Sequence, residues 1–251
     1  MSEKTMIFGT HAVLETLKEG KPIDQILIKK QSDNETIREI IFHARKLGVT
    51  VKSVPVEKLQ RITQKNHQGV IAFTSPIEFD NIEILLPVIY ERGEIPFIVL
   101  LDEVSDVRNF GAIVRSCECM GVHAVVVPHQ GSAQISADAL KTSAGALAKV
   151  PVCKVKSLAA TCKYLQECGL QLVCASEKFA APCYEVDMTV PTALVMGNEE
   201  QGISQPIIDL ADRKICIPMT GEINSLNVSV ATGICLYEVA RQRHCVDLCE
   251  H

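Results

Sequence analysis

Ala12, Val13, Thr16 and Leu17 fall three to four residues apart, a spacing that places them on one helical face and predicts a helix ending at Gly20. Ile23 to Ile28 reads as a strand, and Ile37, Ile40, Ile41 and Ala44 predict a second helix ending at Gly48. A strand near 49–54, a short helix near 56–62 and a strand over 69–74 complete a small α/β unit spanning residues 8–76. Before the last of these strands lies the polar loop Thr63-Gln-Lys-Asn-His-Gln68. It is rich in donors and has no apolar anchor, as expected of a connection or of a loop that touches a polar ligand.

Pro76, Pro87 and Pro96 punctuate the next stretch, which ends at Arg92-Gly93. The expected division is therefore a first domain over 1–76, a linker over 77–94 and a second domain over 95–251. From Ile95 onward, short apolar runs alternate with helical stretches: 98–101, 123–127, 150–155, 171–175, 193–196 and 214–217 read as strands buried on both faces. The longest helix is expected over 228–242. This pattern predicts an α/β fold with a mostly parallel sheet and helices on both faces, in which ligands bind beyond the carboxyl ends of the strands.

The chain has 251 residues, 47% of them hydrophobic, enough for a substantial core. No apolar run is long enough to span a membrane, and Met1-Ser-Glu-Lys-Thr lacks a signal-peptide pattern, so a cytoplasmic protein is expected. Eleven cysteines are an odd number, and Cys117, Cys174, Cys216 and Cys235 lie within apolar runs, which favours buried free thiols over disulfides. His244, Cys245, Cys249 and His251 crowd the C-terminus without a CxxC pair, and no metal is expected.

The net charge is −5, which argues against indiscriminate coating of nucleic acid. Residues 1–75, however, hold 12 Lys and Arg against 8 Asp and Glu. An anionic partner would be gripped there, although two ordinarily solvated surfaces would look the same.

Three polar islands carry the candidate chemistry: Asn109-Phe-Gly-Ala-Ile-Val-Arg115, Gly197-Asn-Glu-Glu-Gln-Gly202 and Ser225-Leu-Asn-Val-Ser229. Each sits at a strand end or helix start. Gly197-x-x-x-x-Gly202 follows a strand but continues Ile203-Ser204, without the lysine a P-loop uses to reach phosphates, and no GxGxxG follows any strand. What remains is a site where glycine bares the backbone at Gly197, and Ile217-Pro218 and Leu226 offer apolar walls suited to an adenine ring and a thioether.

The three islands, in order and spacing, resemble the motifs of the SpoU (TrmH-like) branch of the SPOUT RNA methyltransferases. Phe8-Gly-Thr-His-Ala-Val-Leu-Glu15 and His67-Gln-Gly-Val-Ile-Ala72 resemble the ribosomal-protein-like RNA-binding domain found in the RlmB type. The resemblance implies S-adenosylmethionine as methyl donor and the ribose 2'-hydroxyl of a guanosine in large-subunit (23S) rRNA as acceptor. It also implies a C-terminal trefoil knot and a homodimer through the catalytic domain. Two further readings stay open: ribose methylation of tRNA, and a catalytically silent RNA-binding or assembly factor.

Carried over residue by residue, the resemblance assigns Asn109, Arg115, Glu199, Ser225 and Asn227 to catalysis and Gly197, Ile217 and Leu226 to the cofactor. Arg115 matches the arginine assigned to the hydroxyl. A guanidinium has no acceptor and keeps its proton, so clamping a phosphate and steadying a developing alkoxide suit it better than acting as a base. Asn109 sits where a helix cap belongs. Glu199 is placed to pair with Arg115 or to accept a proton, and Ser225 and Asn227 open the last helix, as caps or as nucleotide contacts. On the last helix Val228, Ala231, Cys235 and Val239 form one stripe and Val230, Ile234 and Tyr237 another, giving it two faces to bury.

Overall fold

The computed structural model describes residues 6–249, with side chains described up to 243 apart from 137. The chain separates into two compact units, one running to Glu78 and taking in Gln134–Ala137, the other holding Phe79–Ala133 and the chain from Asp138.

The first unit has strands β1 (Met6–Phe8), β2 (Ile23–Lys29), β3 (Thr50–Val54) and β4 (Val70–Thr74), and helices α1 (Thr10–Lys18), α2 (Glu35–Lys46) and α3 (Val56–Ile62). Its sheet order is β1-β4-β2-β3, with β4 antiparallel to both neighbours and β2 parallel to β3. Because alternate strand residues face opposite sides, Ile26 and Ile28 join α1 and α2 in one cluster, while Leu27 and Ile71 pack with Leu59 of α3 in another. Helix α2 starts where the Asn34 side chain accepts a hydrogen bond from the Ile37 amide at 2.8 Å, a favourable N-cap. The sequence pattern missed β1, a three-residue edge strand with no fully buried position.

The second unit contains α4 (Ile82–Glu91), β5 (Phe97–Asp102), α5 (Val107–Cys119), β6 (Ala124–Pro128), all but the first residue of α6 (Ala137–Thr142), β7 (Val152–Val155), α7 (Leu158–Glu167), β8 (Gln171–Ala175), β9 (Ala181–Pro182), β10 (Thr192–Gly197), α8 (Gln205–Ile208), β11 (Arg213–Cys216) and α9 (Val228–Cys249). The seven strands run β7-β6-β5-β10-β8-β11-β9, and every pairing is parallel. Ile98, Leu100, Ala193 and Val195 face a core built with α4, α7 and α8. Their neighbours Val99, Leu101, Leu194 and Met196 are also buried, so a second layer covers the opposite face; α5 and α9, packed on each other, supply it.

Residues 77–94 are not a linker. They contain α4, whose Ile82, Leu86 and Ile89 are 1–3% exposed within the second unit's core. Pro87 stands inside this helix; apolar packing on the sheet outweighs the missing backbone donor that made the stretch read as a break.

Among the described residues, no helix is long and apolar enough to cross a membrane, and no group of three or more His, Cys, Asp or Glu is arranged to hold a metal. The C-terminal cluster of His244, Cys245, Cys249 and His251 lies outside the described side chains. Cys117, Cys153, Cys162, Cys174 and Cys235 are buried free thiols. Desolvation pushes those of Cys153, Cys162, Cys174 and Cys235 up to about 12, which leaves them protonated and inert at neutral pH.

Candidate active site

Strand β10 lies between β5 and β8, with Gly197 in register with Asp102. At these carboxyl ends Asp102, only 5% exposed, accepts a hydrogen bond from the Ser204 amide at 2.7 Å. That bond fixes the exit of a tight loop closed by reciprocal Asn198–Gly202 backbone bonds. A Cβ at Gly197 would stand 2.3 Å from the Gly202 carbonyl carbon, so only glycine permits the loop to fold back this closely.

Helix α5 is capped by Asp106, whose Oδ1 accepts from the amides of Arg108 and Asn109 at 2.8 and 2.9 Å. Asn109 is therefore inside the first turn and is not the cap, because an aspartate three residues earlier already takes the free amides. Its side chain is left to reach across the unit, donating through Nδ2 to Glu199 Oε1 at 3.0 Å.

Asn227 caps α9, its Oδ1 accepting from the amides of Ser229 and Val230 at 3.0 and 3.4 Å and from the Ser229 hydroxyl. The same side chain donates to Asn109 Oδ1 at 3.0 Å and to Glu199 Oε1 at 2.6 Å. With the Val228 amide at 3.3 Å, one carboxylate oxygen gathers three donors from two helices. The three sequence islands thus meet at Glu199.

Beside this junction opens a cleft of about 160 Å³, lined by Gly197, Glu199, Ile217, Ser225 and Leu226 among others. Residues 218–226, which supply part of its wall, make no hydrogen bonds among the described residues. Main-chain donors and acceptors there are free to read a ligand's edge. Met196, Val228 and Ala231 add apolar surface, so the residues present fit a ligand with a flat heteroaromatic ring and a thioether-like chain. The cleft also takes in Ser176, Glu177 and Lys178 after β8, which sequence reading missed. Their presence follows from the adjacency of β8 and β10, a fact of strand order that no local motif signals.

Arg115 stands apart. It is exposed on α5, does not line the cleft, and has no hydrogen-bond or ion-pair partner among the described residues. Six residues beyond Asn109, it lies about 9 Å further along the helix and roughly 120° around it. The expected pairing of Arg115 with Glu199 is absent within the chain; Glu199 holds Asn109 and Asn227 instead. Ser225 lines the cleft but caps nothing, since Asn227 performs that task.

Residues 96–237 match the model of the SpoU rRNA methylase family, and residues 6–80 match the RNA 2'-O ribose methyltransferase substrate-binding model. A Bacillus subtilis protein assigned to the TrmH family of tRNA/rRNA methyltransferases is 32% identical over 238 residues, covering 95% of this chain and 96% of that one. A Staphylococcus aureus protein of the same assignment is 35% identical over 242 residues, covering 96% and 98%. Among solved structures, the SpoU methyltransferase AviRb of Streptomyces viridochromogenes, in complex with AdoMet, aligns with a TM-score of 0.61 and 25% identity over 96% of this chain and 90% of its own. The TrmH/SpoU tRNA modifying enzyme of A. aeolicus aligns with a TM-score of 0.57 and 37% identity over 65% of this chain and 86% of its own.

Proposed function

The chain belongs to the SpoU rRNA methylase family of RNA methyltransferases, and from that membership we propose that it methylates the ribose 2'-hydroxyl of a guanosine in large-subunit (23S) rRNA, as a homodimer. The observation that carries this reading is the Glu199 junction, which brings Asn109, Asn227 and the start of α9 to the rim of a cleft with unpaired main-chain groups. Large-subunit rRNA is favoured over tRNA because a substrate-binding segment matching over residues 6–80 precedes the methylase segment.

S-adenosylmethionine supplies an electrophilic methyl group, and Gly197, Ile217 and Leu226 are the residues that would hold it. Glu199 positions Asn109 and Asn227 so that the substrate sugar meets a fixed polar rim. Arg115 clamps the neighbouring phosphate and stabilises negative charge as the hydroxyl loses its proton, for which a permanent cation suffices.

Within one chain Arg115 does not line the cleft, so this reading has it supplied by a second copy. Val230, Ile234 and Tyr237 on α9 are 51%, 37% and 59% exposed, whereas Cys235, Leu236 and Val239 on the opposite side are fully buried. This exposed apolar stripe on α9 supports a two-fold interface there. The insertion of β10 between β5 and β8, with the tight return at Gly197, supports a C-terminal trefoil knot.

The test is to incubate the protein and methyl donor with unmodified large-subunit rRNA and, separately, with tRNA, and to map 2'-O-methyl positions. Modification of a guanosine in rRNA alone is the expected result; modification of tRNA alone overturns the substrate assignment. Absence of saturable methyl-donor binding would leave only an RNA-binding role.

A further inference from the structure

The first unit holds a second, open cavity of about 330 Å³, lined by Lys29, Ser32, Val56, Lys65, Asn66, His67, Gln68 and Gly69. It forms where β2 leaves the sheet and β4 enters it, the Lys29 amide donating to the Gly69 carbonyl at 2.8 Å. No carboxylate is among its lining residues.

Two side-chain acceptors of this loop are already used. His67 Nδ1 accepts from the Gly69 amide at 3.0 Å, which leaves Nε2 as the protonated nitrogen of the neutral ring. Gln68 Oε1 accepts from both the amide and the hydroxyl of Thr10, at 3.1 and 3.0 Å, leaving its NH₂ group as a donor. The remaining capacity at the cavity is dominated by donors: two ammonium groups, a ring N–H, amide N–H groups and the Ser32 hydroxyl.

Three other cations of this unit are paired with carboxylates, whereas Lys30, Arg45, Lys46, Lys52, Lys58 and Arg61 lie outside the cavity lining. Lys18 pairs with Glu39 at 2.7 Å, Lys21 with Glu19 at 2.7 Å and Arg38 with Asp33 at 2.6 Å. Lys29 and Lys65 meet no carboxylate among the described residues, and Lys65 rests over the Phe8 ring at 5.5 Å. Gly69, at φ +81°, takes a backbone conformation that a residue with a side chain rarely adopts, and leaves the cavity floor bare beside Lys29 and Ser32.

We propose that this cavity binds a backbone phosphodiester of the substrate RNA, with Lys29 and Lys65 as its cations and Ser32, Asn66, His67 and Gln68 as neutral donors. The proposal rests on the reading that the protein acts on RNA and names where the first unit grips it. Phosphate contacts fix the register of the nucleic acid without reading its sequence. The cavity therefore anchors the substrate, and base choice lies elsewhere.

The test uses the full chain and a fluorescently labelled transcript of large-subunit rRNA, with affinity measured across a salt series. Lys29→Gln/Lys65→Gln is expected to weaken binding roughly tenfold near physiological salt and to reduce the slope of log affinity on log salt by about 0.8, since one lost phosphate contact removes about 0.7–0.9. Thermal melting and methyl-donor affinity should stay at the wild-type values. Lys18→Gln/Lys21→Gln, which removes the same charge at the other end of β2, should change the slope by less than about 0.5. Ser32→Glu, which keeps both lysines and adds an anion to the cavity, should weaken binding as the double variant does. Unchanged slope and affinity in Lys29→Gln/Lys65→Gln and Ser32→Glu, with wild-type RNA binding intact, overturn the cavity assignment alone. A wild-type chain with no salt-dependent affinity for RNA overturns both this proposal and the functional reading beneath it.

Discussion

Glu199 Oε1 accepts a hydrogen bond from Asn227 Nδ2 at 2.6 Å, joining the loop after β10 to the residue that caps α9. The same oxygen takes Asn109 Nδ2 and the Val228 amide, so the carboxylate is first a fastener. Hydrogen bonds to a charged group contribute about 1.5–3 kcal/mol. Glu199→Gln keeps an acceptor at Oε1 and should hold kcat within roughly tenfold of wild type, whereas a general base loses ~10²–10⁴ on the same change. Glu199→Ala strands three donors and should reduce kcat by more than about a hundredfold. A collapse of kcat in the glutamine variant with unchanged melting would assign proton transfer to Glu199.

Arg115 and Glu199 do not meet within one chain, so their cooperation is measurable by mixing. In the proposed homodimer, Arg115→Ala and Glu199→Ala should each be inactive alone. If Arg115 serves the partner's cleft, subunit exchange creates heterodimers with one intact site, and an equal mixture should recover about a quarter of wild-type activity. Recovery absent after exchange has been verified by mass spectrometry would place Arg115 in its own subunit's reaction.

Gly197 is constrained by a neighbour and not by its own torsion angles. A methyl group there would meet Gly202 C at 2.3 Å and Ile203 N at 2.4 Å, both backbone atoms that cannot swing aside. Gly197→Ala should lower the melting temperature by several degrees, the equivalent of about 1–3 kcal/mol of overpacking. It should also abolish saturable methyl-donor binding by calorimetry, because the displaced loop forms the cleft wall. Normal affinity in a folded Gly197→Ala protein would remove this loop from the donor site.

The parallel sheet was legible because strands such as Phe97–Asp102 are buried at every position and so read as uninterrupted apolar runs. Helix α4 was hidden by Pro87, a local signal overruled by burial of Ile82, Leu86 and Ile89. At the site, the glycines and amides of the islands could be identified, but not which asparagine caps which helix. Asp106 and Asn109 compete for the same amides, and only the fold shows that Asp106 has them. Lys178 and Glu177 escaped notice because their place in the cleft depends on β8 lying next to β10. The separation of Arg115 from the cleft depends on helix phase relative to Asn109, which motif order does not encode.

Arg243 is a half-buried cation with no carboxylate partner among the described residues. Its guanidinium donates to the carbonyls of Ile95, Pro96, Met188 and Val190 at 3.0–3.3 Å and lies over the Phe97 ring at 5.0 Å. Desolvation lowers its pKa to about 10, so it stays charged at neutral pH. It pins α9 to the amino ends of β5 and β10. Arg243→Met fills similar volume but leaves four carbonyls without this donor, and should cost about 2–4 kcal/mol by urea denaturation. A loss under about 0.5 kcal/mol would show that water replaces the guanidinium without penalty.

Glu238 gives the second unit a defined acid sensitivity. Its side chain accepts from Arg241 at 2.9 and 2.8 Å and from Gln242 at 2.8 Å, and these bonds, led by Arg241, hold its carboxyl below the usual glutamate value of 4.5. A folded-state value below the unfolded one means that the unfolded chain binds the proton more readily. The stabilisation is therefore complete above pH 4.5 and is lost as pH falls from there through the depressed folded-state value. Gln242 extends the bond set, donating to the Val186 carbonyl and accepting from the Met188 amide, so protonation of Glu238 loosens α9 from the segment before β10. Glu238→Gln removes the titrating group, and its stability measured by urea unfolding from pH 6 to pH 3 should fall less steeply below pH 4.5 than that of the wild type. Parallel acid limbs in the two proteins would assign the acid sensitivity to other carboxylates.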